Sequence, residues 1–295
     1  MKEFLWRIFK PTVAVGIIVV NFFLWMFNLP QYPSLTEIDM SKFCETPVFA
    51  DEFDGSEIND EVWSGHYTYG DNYSLRRGGY WHRDMATVED GKLHIRTAYL
   101  EEGLGGGPEG WYSYGMDTNG KYEQTYGYFE CRCIFPKGIG HWSAFWLLTD
   151  SMMNTEEKGL NGAEIDVFES FNYGNKLLWN STKHTIHIDG YGDLHDADND
   201  GSWRIKGDPF NEFHTYGVEW NEEGYTFYID GKKTSFNDFG GASRVPEYMI
   251  LSVEVGGENG VPDGGMTMGP IYENEGGKDF TSDFIIDYVR AYQYK

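Results

Sequence analysis

The feature that most constrains the fold is a period-two alternation of apolar and polar residues that recurs along most of the chain. It runs through KLHIRTAY (92–99), YGYFECRCIF (126–135), WSAFWLL (142–148), TIHI (185–188), HTYGVEW (214–220), YTFYID (225–230) and FIIDYVRAYQY (284–294). In an extended strand successive side chains point to opposite faces, so each run is expected to bury one face and present the other. Between the runs stand Gly, Asn and Asp turns, among them Asp90-Gly91 and Asp230-Gly231. Such pairs close two-residue hairpins because both positions tolerate positive φ. Few segments carry a helical period, so the expected class is all-β: two antiparallel sheets packed as a sandwich, with one face free to form a ligand cleft.

The amino terminus departs from this pattern. No charged residue lies between Lys10 and Glu37, and VAVGIIVVNFFLWMFNL is nearly all apolar, with Lys2, Arg7 and Lys10 ahead of it. At about 1.5 Å per residue that run is long enough to cross a bilayer. Its basic flank would stay in the cytoplasm. A cleaved signal peptide is the rival, but bulky Phe27, Leu29 and Pro30 stand where a small-x-small site would be needed. Residues 1–30 are therefore expected to be a transmembrane signal anchor, 31–46 a linker, and 47–295 one domain without repeat or second linker. The expected location is the extracellular face of the cell membrane, or secretion if the segment is cleaved.

Charge narrows the partners. With 47 Asp plus Glu against 23 Lys plus Arg, the formal net charge of -24 argues against nucleic acid, which requires a basic patch. Aromatic residues reach 17% of the chain, enough to fill a core and leave rings for stacking on sugars. The three cysteines, Cys44, Cys131 and Cys133, form no CxxC pair and have no histidine placed to complete a zinc site. A monomer is expected.

The chemistry is concentrated in GAEIDVFES (162–170), which places Glu164, Asp166 and Glu169 within six residues. In a regular strand Glu164 and Asp166 would share a face and Glu169 would take the other. One extra residue, a β-bulge at Val167 or Phe168, would restore the parity and align all three acids. A solvated acidic face is the plain alternative. Against it, Ile165, Val167 and Phe168 mark a buried strand, where unpaired charge is costly and usually functional. Two carboxyl groups about 5–5.5 Å apart suit a retaining glycosidase, one attacking the anomeric carbon while the other protonates the leaving oxygen. Metal binding is the other use of such a trio, but no histidine lies at close spacing in the sequence.

EIDVFE resembles the bulged ExDxxE signature of glycoside hydrolase family 16. YGYFECRCIFPKGIGHWSAFWLL, HTYGVEWNEEGYTFYIDGK, PEYMILSVEVGG, FIIDYVRAYQY and the opening VFADEFDGSEINDEVWS are similar to the family's other segments, so the likeness covers about residues 48–295. It implies a jelly-roll sandwich with a concave substrate cleft and a retaining endo-β-glycosidase that needs no cofactor for catalysis. Residue by residue it implies Glu164 as nucleophile, Asp166 as assisting carboxylate and Glu169 as acid/base. Trp142 and Trp146 match the family's Trp-x-x-x-Trp and, at i and i+4 of a strand, share a face. His187 is a further candidate for the cleft wall, with a structural histidine as the alternative. The resemblance also implies a structural calcium, held by an early backbone carbonyl, a turn glycine and an aspartate of the last strand, the places of Glu52, Gly91 and Asp287. The acidic stretch with Asp196, Asp198, Asp200 and Gly201 resembles half a calcium loop but lacks its glutamate, and is read as a solvated loop.

The expected substrate is an extracellular β-1,3-containing glucan, because a sulfated chain would call for Arg and Lys in the cleft and this acidic sequence has few. Galactans, host glycans, transglycosylation and a non-catalytic carbohydrate-binding sandwich are the alternatives.

Overall fold

The computed structural model describes the backbone of residues 2–256 and 277–295, with side chains for 11–256 and 278–295. The alternating runs become strands close to the expected limits, including Lys92–Leu100, Gly127–Ile134, His141–Leu148, His214–Asn221, Gly224–Ile229 and Thr281–Tyr292. Both Asp-Gly pairs close hairpins: φ is 53° and 68° at Asp90 and Gly91, and 50° and 70° at Asp230 and Gly231. The residues that meet across these turns are Glu89 with Lys92 and Ile229 with Lys232.

Among the described residues the strands form two sheets, of eleven and seven strands. The larger runs Lys232–Asn237, Gly224–Ile229, His214–Asn221, Gly127–Ile134, Thr281–Tyr292, Lys92–Leu100, Gly110–Ser113, Gly79–Trp81, Ser74–Arg76, with Phe49–Asp51 and Ala86–Glu89 attached at its side. The smaller runs Asp196–Arg204, Ser181–Ile188, Glu164–Ser170, His141–Leu148, Tyr248–Val255, Gly115–Asp117, Ser64–Gly65. Gly79–Trp81 and Gly110–Ser113 pair in parallel, whereas the strands that carry the acids and tryptophans pair antiparallel.

Alternation divides each strand between core and surface. Phe145, Leu147, Ile165, Met249, Leu251 and Val253 of the smaller sheet pack with Phe129, Cys133, Val218, Phe284 and Ile286 of the larger. Burying each such aliphatic or aromatic side chain contributes about 1.5–3 kcal/mol. The residues between them, Ala144, Trp146, Leu148, Tyr248 and Ile250, form a separate cluster on the far face of the smaller sheet. That face is the floor of a cleft of about 290 Å³.

The amino-terminal segment differs from its reading. A helix spans Lys2–Met26 with Pro11 inside it, yet among the described residues no helix is long and apolar enough to cross a membrane. Its charge-free part begins only after Lys10 and the helix stops at Met26. At 1.5 Å per residue that part spans about 24 Å, short of the roughly 30 Å hydrocarbon core. The side chains of the basic flank lie outside the described residues. The expected transmembrane anchor is therefore not supported.

The stretch read as a linker runs along the edges of both sheets. Gln31 exchanges backbone hydrogen bonds with Ser202 and Arg204, both 2.7 Å, and Lys233 donates to Thr36 at 2.8 Å while Ile38 donates to Gly231 at 2.9 Å. These bonds cover edge groups that would otherwise be open to pairing with another chain. The acidic stretch read as a loop instead opens the edge strand Asp196–Arg204, with residues 196–199 exposed.

Candidate active site

The strand Glu164–Ser170 is irregular at the position its parity required. Against its neighbour on one side, Phe145 faces Phe168 and the adjacent Trp146 faces Asp166, so Val167 has no counterpart. Against the other neighbour, Asp166 faces Thr185 and Glu169 faces Lys183, so Val167 and Phe168 together oppose His184. Val167 and Phe168 both join the core. The phase change returns Glu169 to the cleft with Glu164 and Asp166, and all three line it.

His184 fills the bulge from below. Its Nδ1 donates to the Val167 carbonyl at 2.6 Å, its Nε2 accepts from Thr234 Oγ1 at 2.9 Å, and its ring stacks on Phe227 at 4.5 Å. Burial lowers its pKa to about 4 despite the Val167 bond, so it stays neutral and keeps this donor–acceptor arrangement.

The three acids have few partners besides one another. Glu169 accepts a hydrogen bond from Thr185 Oγ1 at 2.6 Å. Asp166 Oδ2 lies 3.3 Å from His187 Nε2, and Glu164 Oε1 lies 3.6 Å from the same nitrogen. The Tyr191 hydroxyl donates to Glu164 Oε2. Burial raises the pKa of all three; the Glu164 charge adds to the effect on Asp166, and the Asp166 charge to that on Glu169. For Glu164, His187 and the Tyr191 hydrogen bond oppose the rise. Burial would lower His187, but its bond to Asp166 and the surrounding carboxylates win and lift it to about 9. This set has the chemistry of a proton-holding acid beside an anion with a fixed hydrogen-bond donor.

Trp142 and Trp146 both line the cleft, as their shared face required. Trp146 is nearly buried and its Nε1 donates to Ser252 Oγ at 3.1 Å. Trp142 is covered on one face by Arg77, whose guanidinium carbon is 3.9 Å from the ring centre. Arg76 and Arg77 both donate to Glu254, and Arg76 also sits 4.8 Å over the Tyr67 and Trp81 rings. His187, read as a wall residue, lies instead among the carboxylates. The histidine that looked absent for a metal reading arrives from the neighbouring strand, since Glu164 pairs with His187. It faces the acids, which lift its pKa and favour its protonated form.

The calcium expectation gains no support from its residues. Arg290 grips Glu52 through Nε and Nη2 at 2.7 and 2.8 Å, and Arg132 Nη1 donates to Asp287 at 2.5 Å. Gly91 supplies the positive φ of its hairpin. Asp287, the one carboxylate of the proposed set, is thus already paired with an arginine, while the Arg290 pair engages the Glu52 side chain and leaves its backbone carbonyl open.

Sequence reasoning missed Tyr67, Arg76, Arg77, Tyr191, Glu254, His184 and Thr185. Thr185 had a signal, since it alternates with His187 on one strand face. Arg76-Arg77 also had one, as an adjacent basic pair in a chain with only 23 Lys plus Arg. Tyr191 sits in an irregular loop, where no periodicity points to a partner.

A β-sandwich with a bulged acidic strand across its open cleft is the architecture of a glycoside hydrolase. The sequence model described as beta-porphyranase A-D, GH16 domain, matches residues 44–294, and the chain belongs to glycoside hydrolase family 16. An endo-1,3-1,4-beta-glycanase of Rhizobium meliloti is 32% identical over 208 residues, 70% of this chain and 39% of that protein. A keratan-sulfate endo-1,4-beta-galactosidase of Sphingobacterium multivorum is 27% identical over 264 residues, 83% of this chain and 54% of that protein. The chain therefore spans about two-fifths to half the length of these two relatives. The catalytic domain of an endo-1,3-beta-glucanase (laminarinase) from Thermotoga petrophila shares the fold, with a TM-score of 0.60 and 24% identity over 86% of this chain and 99% of that one.

Proposed function

We propose that the chain is a retaining endo-β-glycosidase that cuts an extracellular polysaccharide, most simply a β-1,3-containing glucan. The observation that carries this reading is the bulge at Val167-Phe168, which turns Glu164, Asp166 and Glu169 to one face. Glu164 is the nucleophile, held as an anion by His187 and Tyr191. Glu169, whose burial beside Asp166 favours its protonated form, is the acid that protonates the leaving oxygen and later the base that activates water. Asp166 sits between them, and its charge keeps Glu169 protonated until Glu169 gives that proton to the leaving oxygen as the glycosyl-enzyme forms. The carboxylates suffice for this chemistry, so no cofactor is required. A sugar acceptor in place of water would make the same intermediate yield transglycosylation. A polymer substrate of this kind lies outside the cell, and that is the proposed site of action.

Arg76 and Arg77 favour a second reading of the substrate. The glucan expectation assumed a cleft poor in cations, whereas two guanidiniums share Glu254 and leave a net positive charge beside Trp142. That suits an anionic galactan, in line with the keratan-sulfate enzyme among the relatives. Digestion of laminarin, mixed-linkage glucan, agarose, keratan sulfate and mucin-type glycans, with products sized, separates the readings. Oligosaccharides from laminarin alone support the glucan; products from keratan sulfate alone, lost in Arg77→Ala, support the anionic chain. No cleavage of any of the five would contradict both.

A further inference from the structure

The strand Ser181–Ile188 ends at Asp189 and Gly190, whose φ of 62° and 70° turn the chain sharply. It returns as Asp196–Arg204, with Ile188 opposite Asp196. The loop between them sends two side chains back over the cleft. Tyr191 donates its hydroxyl to Glu164 Oε2. His195 places Nε2 2.9 Å from His187 Nδ1, with the two rings 5.1 Å apart and 17° from parallel. Tyr191 lies 6.0 Å from His195 in turn.

Tyr191 is 50% exposed, so water can reach it and its hydroxyl could be satisfied there. It is instead directed onto a cleft carboxylate. Glu164 Oε1 has no comparable bond, since its neighbour His187 Nε2 is 3.6 Å away.

We propose that Tyr191 is a positioning residue that holds Oε2 of Glu164 and so leaves Oε1 as the attacking atom. The inference rests on the reading of Glu164 as nucleophile. In the first step a lone pair of Oε1 forms the bond to the anomeric carbon as the bond from that carbon to the leaving oxygen breaks. The proton on the leaving oxygen comes from Glu169, and the Tyr191 proton stays on its own oxygen throughout. His195 acts one position further out, accepting the Nδ1 proton of the His187 imidazolium and keeping that ring against the acids.

Glu164 is faced by Asp166 and Glu169 from its own strand, His187 from the next, and Tyr191 from the loop, with Glu254 and Tyr67 across the cleft. Among these, Tyr191 is the neutral donor that can be removed without changing a charge. The test is a carboxyl-carbon NMR titration of Glu164 in the full chain, its signal assigned by loss in Glu164→Gln, repeated in Tyr191→Phe. The expected result is a rise in the Glu164 pKa of about one unit in Tyr191→Phe, with partial return in Tyr191→His, which restores a donor. On whichever panel substrate is cleaved, the acid limb of kcat/KM should move upward by the same amount, with kcat down about tenfold and KM within about twofold. An unchanged titration in folded Tyr191→Phe and Tyr191→His overturns the proposal, as does a raised KM at constant kcat. Wild-type inactivity on every glycan would instead sink the enzymatic reading, and the titration would still decide whether Tyr191 holds the carboxylate.

Discussion

On the outer side of the larger sheet, acids meet arginines. Arg96 binds Asp283 through two nitrogens at 2.8 Å, Arg290 binds Glu52, and Arg132 binds Asp287. On the cleft side of the smaller sheet, Glu164, Asp166 and Glu169 meet one another, His187 and the hydroxyls of Tyr191 and Thr185. Burial would raise Asp283, yet Arg96 overcomes it and holds the pKa below the ordinary aspartate value. The cleft acids rise instead. Both groups look alike as acidic residues spaced along apolar strands. Their partners decide the chemistry: arginine makes a carboxylate a structural anion, while burial beside another carboxylate, as at Asp166 and Glu169, makes it an acid that carries a proton near neutrality.

Substitutions can break this contrast. The largest effect is expected from Glu164→Gln and Glu169→Gln, which should lower cleavage by about 10²–10⁴-fold or more with the melting temperature kept, as read by product release and calorimetry. His184→Ala should come next. It removes the neutral ring beneath the bulge and leaves the Val167 carbonyl and Thr234 unpartnered, a loss of about 2–4 kcal/mol in denaturant unfolding. Residual activity of the folded fraction should fall as well, because the register that delivers Glu169 loosens.

Glu247 tests a buried acid outside the cleft. It is fully buried, accepts from the Ala163 backbone at 3.1 Å, and burial lifts it to about 8. Its folded pKa lies above the unfolded glutamate value of about 4.3. The resulting stability is complete below that unfolded value and is lost as pH rises through about 8. Melting curves from pH 6 to 9 should therefore fall more steeply for wild type than for Glu247→Gln. Parallel curves would show that Glu247 does not hold a proton when folded. The smallest effect is expected at the outer sheet: Asp287→Asn should cost about 0–1 kcal/mol and leave activity within about twofold.

The sheets and the bulge were legible because alternation is a local signal. EIDVFE carries acids whose parity cannot be reconciled without an inserted residue, and Val167 and Phe168 are that irregularity. What supports it was not legible. His184 lies on the core-facing phase of its strand, and only its nearness to Val167 and Thr234 makes it a brace rather than an anomaly. Arg76 and Arg77 reach Glu254 across more than half the chain, with separations of 178 and 177 residues, so no window on the sequence could join them. The partner of Asp287, the one carboxylate of the calcium reading, was hidden for the same reason: Arg132 meets it through pairing between strands. The anchor lacks support for a different reason: the apolar run continues past the last helical residue, Met26.

The central claim is that the bulge makes Glu164 and Glu169 a retaining pair. Proton NMR of the first sugar ends released from the cleaved panel glycan tests it most directly. Retention requires the new reducing ends to appear first as the β-anomer and only later equilibrate. Initial release of the α-anomer would mean direct attack by water, and would contradict the roles given to both glutamates.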